Sequence, residues 1–276
     1  MKTPLNRPTD TDAELSQLIC EALASSNMPT SNRQNLRSRL LSRAKKSRLA
    51  TAGTITVRAR DGAWRHVKSG VRVKTLWHGA HSDSVLIELQ PGAALPMHRH
   101  AALEEGIVLS GGFQIDGMSL GPGDYHMSPV GSRHGRITSE QGVVAYLRGT
   151  SLGHTGTMLG EMVSALLPGS GAPAVTVTAN DGNWEILADG VESKTLCRDG
   201  DMVSRFLRLQ PGASLPADRT VGDEECMVIE GDIFFGDLLV CAGDFHLTPG
   251  NAQQSVLTSE NGALIFTRSR PTDGRC

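Results

Sequence analysis

The sequence predicts an all-β protein, two tandem barrels of short strands behind a short helical N-terminal segment. Three observations carry this. The 276-residue chain contains a gapless internal duplication, each copy is a series of short β-prone runs broken by Gly and Pro, and the helical signals lie outside both copies.

Residues 52–149 align with 172–269 at an offset of 120 without an insertion, with 34 identities in the 98 positions. Asp61-Gly62-x-Trp64 matches Asp181-Gly182-x-Trp184, and Gly123-Asp124-x-His126 matches Gly243-Asp244-x-His246. Two domains suit the chain length. The boundaries expected from this are a helical segment at 1–51 and a first barrel at 52–150. A linker at 151–171, a second barrel at 172–269 and a tail at 270–276 complete the chain. Each repeat looks like a complete unit.

Within the first copy, runs such as 54–57, 84–89, 106–109 and 143–147 are rich in β-branched and aliphatic residues. Regular short strands with frequent turn signals indicate a sandwich or barrel, and no long 3.6-residue period competes with them. The stretch at 167–174, Leu-Pro-Gly-Ser-Gly-Ala-Pro-Ala, reads as flexible, and residues 154–166 read as a short helix.

Thr11-Asp12-Ala13-Glu14 has the pattern of a capping box. It opens a run with Leu15, Leu18, Ile19, Ala22 and Leu23 at helical spacing. Thr30 or Ser31 is placed to cap a second helix carrying Leu36, Leu40 and Leu41. Residues 33–48 hold seven Lys or Arg and no acid, a surface suited to an acidic partner.

Composition excludes several classes. A formal net charge of −2 does not suit a polyanion binder, and 4% aromatic residues do not build stacking platforms for single strands, so direct nucleic-acid binding is not expected. Five Cys with no C-x-x-C pair fit reduced thiols better than a disulfide frame. The first residues lack the apolar core of a signal peptide, and no window approaches the length of a membrane helix. A cytoplasmic protein with no membrane contact is the expectation.

The chemistry concentrates in the first copy, in Gly92-x5-His98-x-His100-x3-Glu104-x6-Gly111 followed by Gly123-x5-Pro129-x-Gly131-x2-His134. Side chains alternate along a strand, so His98 and His100 share a face, and Glu104 lies at an even offset from both. Glu105 has odd parity and is set aside. His134 must come from another strand facing the same lumen. Three imidazoles and a carboxylate suit one divalent transition metal, Zn²⁺, Fe²⁺, Mn²⁺ or Ni²⁺.

These paired motifs resemble the signature of the cupin superfamily, which implies two jelly-roll barrels, a bicupin, with a metal in the lumen. The stretches LQPGAALPMHRHAALEEGIVLSGGF and GPGDYHMSPVGSRH are similar, more narrowly, to the cupin-like domain of ChrR-type anti-sigma factors. That resemblance implies zinc held by His98, His100, Glu104 and His134. It also implies an extracytoplasmic-function sigma factor as partner through the N-terminal helices. Such proteins usually begin with a second zinc domain built on a His and a C-x-x-C pair. Here only Cys20 lies near the start and no His precedes His66, while the helix around 36–46 resembles the tail end of such a domain.

The second copy replaces His98, His100 and His134 by Asp218, Thr220 and Gln254, and keeps only Glu224. A metal-free barrel is expected, with Cys226 a buried thiol. His126 and His246 recur in both copies and read as structural. Three functions follow: a ChrR-like regulator of transcription, a metal-dependent dioxygenase acting on a small diketone or aromatic ketone, or a non-catalytic small-molecule-binding cupin.

Overall fold

The computed structural model describes residues 8–24, 28–79, 83–150, 172–217 and 220–272. The chain divides into two compact units, Met1–Ala52 and Gly53–Cys276. The linker and short helix expected over 151–171 lie outside the described residues.

The first unit is a pair of helices, α1 (Pro8–Ala24) and α2 (Thr30–Ala50). Leu15, Ile19 and Leu23 are half-buried at i, i+4 and i+8, while Leu18 is exposed. Arg37 of α2 donates to Ser16 Oγ of α1 at 2.7 Å. Two expectations about helix starts are corrected. Pro8, whose fixed φ suits a first helical turn, places the start of α1 three residues before Thr11. Pro29 occupies the N-cap of α2 at φ −55°, ψ 146°, so Thr30 is already helical and neither it nor Ser31 caps through its side chain. No residue of α2 is buried, although Leu36 and Leu41 are half-buried.

The second unit is two jelly-roll barrels packed sheet on sheet. In the first barrel the large sheet runs, by strand, Val175–Val177, Tyr125–Ser128, Glu104–Gly111, Val143–Thr150, Asp83–Leu89, Val71–His78 and Arg65–Lys68. The second repeats this order with Ile55–Val57, Phe245–Thr248, Thr220–Phe235, Ala263–Pro271, Met202–Leu209, Val191–Asp199 and Glu185–Ala188. The outer strands are therefore exchanged. The strand that opens the first repeat pairs with the second barrel (Thr56 opposite His246), and the strand that opens the second repeat pairs with the first (Thr176 opposite His126). Neither repeat is a self-contained barrel.

A clasp built from the recurring Gly-Asp-x-His motif holds each exchanged strand. Asp124 accepts from Gly121 N at 2.8 Å in its own turn and from Ala179 N at 2.7 Å just beyond the incoming strand. Asp244 accepts from Cys241 N at 3.0 Å and Ala59 N at 2.7 Å. His126 Nδ1 lies 2.8 Å from Thr176 Oγ1, and His246 Nδ1 lies 2.8 Å from Thr56 Oγ1.

Strand alternation divides the apolar side chains among three cores. Val71, Val73, Ile87, Val108 and Ala145 fill the first lumen, and Val191, Leu207, Cys226, Val228 and Ile265 the second. Between the sheets, Leu76, Leu86, Ile107, Tyr125 and Tyr146 meet Phe206, Met227, Phe245, Leu247 and Phe266. A buried polar network threads this interface. Glu105 accepts from Tyr125 OH at 2.7 Å and from Arg268 of the other barrel at 3.0 Å. Glu225 accepts from Ser84 at 2.6 Å, Tyr146 at 3.0 Å and Arg148 Nε at 2.7 Å, all from the first barrel. Each glutamate thus neutralises an arginine across the interface, which offsets the cost of burying four charges.

Removing one member of such a network leaves its partner charged and dry. Glu225→Ala is expected to cost roughly 3–5 kcal/mol, and Asp244→Ala, which loses hydrogen bonds to a charged group, roughly 1.5–3 kcal/mol. Urea denaturation of the full chain measures both, and a cost below about 0.5 kcal/mol in each would show that neither the interface network nor the clasp stabilises the fold.

Candidate metal centre

His98 and Arg99 form a two-residue strand antiparallel to Arg133–His134, with His134 directly opposite His98. His100 follows that strand, and its backbone is gripped on both sides by the turn of the second motif. Its N–H donates to Ser132 O at 3.0 Å and its C=O accepts from Gly131 N at 2.8 Å. Gly131 sits at φ 76°, a left-handed conformation that glycine adopts without steric cost, and this explains the glycine of Pro129-x-Gly131.

The three imidazoles converge. Ring centroids lie 4.4 Å apart for His98 and His134, and 4.9 Å apart for each of the other two pairs. One ligand nitrogen from each lies within 4.8 Å of the others. His98 Nδ1 is 3.1 Å from Pro96 O, and His134 Nδ1 is 2.9 Å from Gly135 O. A carbonyl can only accept, so both Nδ1 atoms carry the proton and both Nε2 lone pairs are left for an ion. His100 is buried and its Nε2 has no hydrogen-bond partner. Burial, with the neighbouring imidazole of His98, pushes His100 down to about 3, and the same causes bring His134 down to about 4. Both are therefore neutral near pH 7, the state a metal requires.

The fourth expected ligand stands at the edge of this triad. Glu104 is half-buried with Oε1 3.7 Å from His100 Nδ1. Its neighbour Glu105 faces away into the inter-barrel network. Alternation along Glu104–Gly111 separates the two, sending Glu104 with Val108 to the lumen and Glu105 with Ile107 to the interface. Gly149, at φ 80°, lets the adjacent strand pass close to Leu103, where a Cβ would lie 1.9 Å from Leu103 O. An unpartnered buried imidazole nitrogen, two oriented imidazoles and an adjacent carboxylate fit one divalent metal ion.

A cavity of about 40 Å³ adjoins the triad, lined by Glu104, His126 and His134 at its polar end and by Val108, Phe113, Ile115 and Leu147 elsewhere. At roughly 10–15 Å³ per water it has room for about three.

The second lumen shows what replaces the site. Thr220 and Gln254, at the positions of His100 and His134, hydrogen-bond to each other through their side chains, and Thr220 N donates to Gln254 Oε1 at 3.4 Å. Polar groups aimed at a metal in one copy satisfy one another in the other. Asp218 lies outside the described residues. Cys226 is buried in the lumen core opposite His246.

Fold and site together define a bicupin with a three-histidine cluster in its first barrel. The chain belongs to the ChrR cupin-like domain family, whose profile matches residues 52–152 and 172–273. Among solved structures it is similar to a candidate dioxygenase of Nostoc punctiforme at 15% identity, covering 79% of this chain and 83% of that one, TM-score 0.60. It is also similar to a candidate glyoxylate-induced protein of Pseudomonas aeruginosa (17%, 80% and 90%, 0.58). The oxalate decarboxylase of Lactobacillus farciminis, solved with formate, is a third (15%, 78% and 86%, 0.56). These likenesses establish the fold. No curated protein sequence matches the chain. Among the described residues, no helix is long and apolar enough to cross a membrane.

Acid should undo the metal-free site. The folded pKa values of His100 and His134 lie below the unfolded value near 6.5, so the unfolded chain binds more protons on acidification. Their contribution is fully present above about pH 6.5 and is lost as pH falls toward 3–4. Chemical denaturation of metal-free protein across this window is expected to show a decline that His100→Leu reduces; an unchanged decline would refute the assignment. With metal added, His134→Ala should weaken binding by orders of magnitude, measured by competition with a chelator.

Proposed function

We propose that this protein is a ChrR-like regulatory bicupin of the anti-sigma type. Its first barrel would hold one zinc ion through His98, His100, His134 and Glu104, and its N-terminal helices would contact an extracytoplasmic-function sigma factor. The observation that carries this is the match of both barrels to the ChrR cupin-like family. The helical unit adds support, because α2 is basic along its length, has no buried residue and is suited to an acidic groove. Zinc would supply a closed tetrahedral anchor or, with an open position, a Lewis acid. The protein's part is to orient three imidazoles, two of them (His100 and His134) held neutral by burial, and to limit access to a cavity of about three waters. The second barrel would act as scaffold, binding the first through exchanged strands.

A second reading, a metal-dependent dioxygenase acting on a small diketone or aromatic ketone, draws on the same donors loaded with iron. The cavity volume of about 40 Å³ weighs against it, since such a substrate needs several times that space. A non-catalytic small-molecule-binding cupin is compatible with the apolar lining.

Deleting residues 1–50 is expected to leave metal content unchanged and to abolish co-purification with a sigma factor in the native host. Retained co-purification would move the contact to the barrels. Oxygen uptake with a diketone by iron-loaded protein, together with no sigma factor recovered, would replace the regulatory reading by the enzymatic one.

A further inference from the structure

The duplication provides an internal control for His126. In both copies this histidine holds the exchanged strand through Nδ1, by Thr176 in one and Thr56 in the other. That shared bond accounts for its recurrence. The other edge of the ring differs between copies. His246 lies against Phe235, with ring centroids 4.0 Å apart. The residue aligned with Phe235 in the first copy is Ile115, and there the ring borders the cavity instead. His126 is 9% exposed, and its Nε2 has no hydrogen-bond partner.

The proton's position follows from the neighbours. With the proton on Nδ1 and accepted by Thr176 Oγ1, the one unmet buried ring atom is an acceptor rather than an N–H, the rarer and costlier orphan, and this selects that tautomer. Burial lowers the pKa of this imidazole and favours its neutral form. Nε2 is then a bare lone pair, an acceptor only, on the wall of a cavity it shares with Glu104 and His134. A buried acceptor left unmet costs about 1–3 kcal/mol, which a donor in the cavity would recover.

We propose that His126 Nε2 is the receiving group of a small-ligand subsite beside the metal triad. The ligand class is a neutral protic molecule of at most about three heavy atoms, water in the resting protein. The O–H of the ligand donates to Nε2, and the apolar wall formed by Val108, Ile115 and Leu147 excludes larger or charged molecules. His126 is a positioning residue, and this role rests on the metal-site reading above.

Full-length protein loaded with Mn²⁺ tests it, because water-proton relaxation reports the residence of water at the ion without any assay of activity. His126→Leu is expected to shorten that residence about tenfold, the change that 1.4 kcal/mol produces. His246→Leu, which loses the same kind of clasp in the other barrel, should leave it within twofold of wild type. Ile115→Phe, which copies the ring of the second barrel and touches no histidine of the triad, should remove the slow water while Mn²⁺ stays bound. Equal effects of the two histidine variants, or a residence unchanged in both His126→Leu and Ile115→Phe, would overturn the subsite and leave the metal reading standing. Wild-type protein that binds no Mn²⁺, Zn²⁺ or Fe²⁺ would overturn both.

Discussion

Asp124 and Asp244 each hold two backbone amides, one in their own turn and one just beyond a strand that arrives from the other half of the chain. Everything else in the barrels depends on that exchange. It closes the outer edge of each large sheet with a strand from the other repeat, so edges that would template aggregation are paired. It fixes the two sheets face to face, and only then do Glu105 and Glu225 reach the arginines that neutralise them. The lumen of the first barrel inherits its rigidity from this frame, because Glu104 and Glu105 are consecutive residues of one strand with opposite duties.

The duplicated halves separate structural from functional chemistry more cleanly than either half alone. What recurs is the clasp, the Trp turns and the buried lysines. Lys74 donates to Arg58 O and Ala59 O, and Lys194 donates to Thr178 O and Ala179 O. What diverges is the lumen. Three histidines whose lone pairs converge are replaced by Asp218, Thr220 and Gln254, of which the threonine and the glutamine bond to each other. The cross-strand pair beneath each Trp is also rewritten with its charge reversed. Arg72–Glu88 in the first copy corresponds to Glu192–Arg208 in the second, yet an arginine still lies over Trp64 or Trp184. The stacking survives the exchange of strands because either neighbour can supply the cation.

Much of this was legible in the sequence. The gapless repeat and short β-prone runs define the barrels, and parity alone sends Glu104 to the lumen and Glu105 away from it. The strand exchange was not legible, because Ile55–Val57 and Val175–Val177 have the same pattern whichever copy they join. The recurrence of His126 and His246 signalled a structural role without saying between which segments. The start of α2 was misjudged because Thr30 and Ser31 have good capping chemistry, while Pro29 already fixes the backbone that enters the helix. The second face of His126 stayed hidden for a spatial reason: what borders the ring, Ile115 or Phe235, depends on packing across the lumen.

The proposed centre is one ion among His98, His100 and His134 with Glu104 completing the set. X-ray absorption at the metal edge of natively purified full-length protein reads that shell directly. Three imidazole nitrogens and one carboxylate oxygen are expected, at about 2.0–2.2 Å for zinc. A sulfur in the shell, or a metal with fewer than two imidazoles, would contradict it.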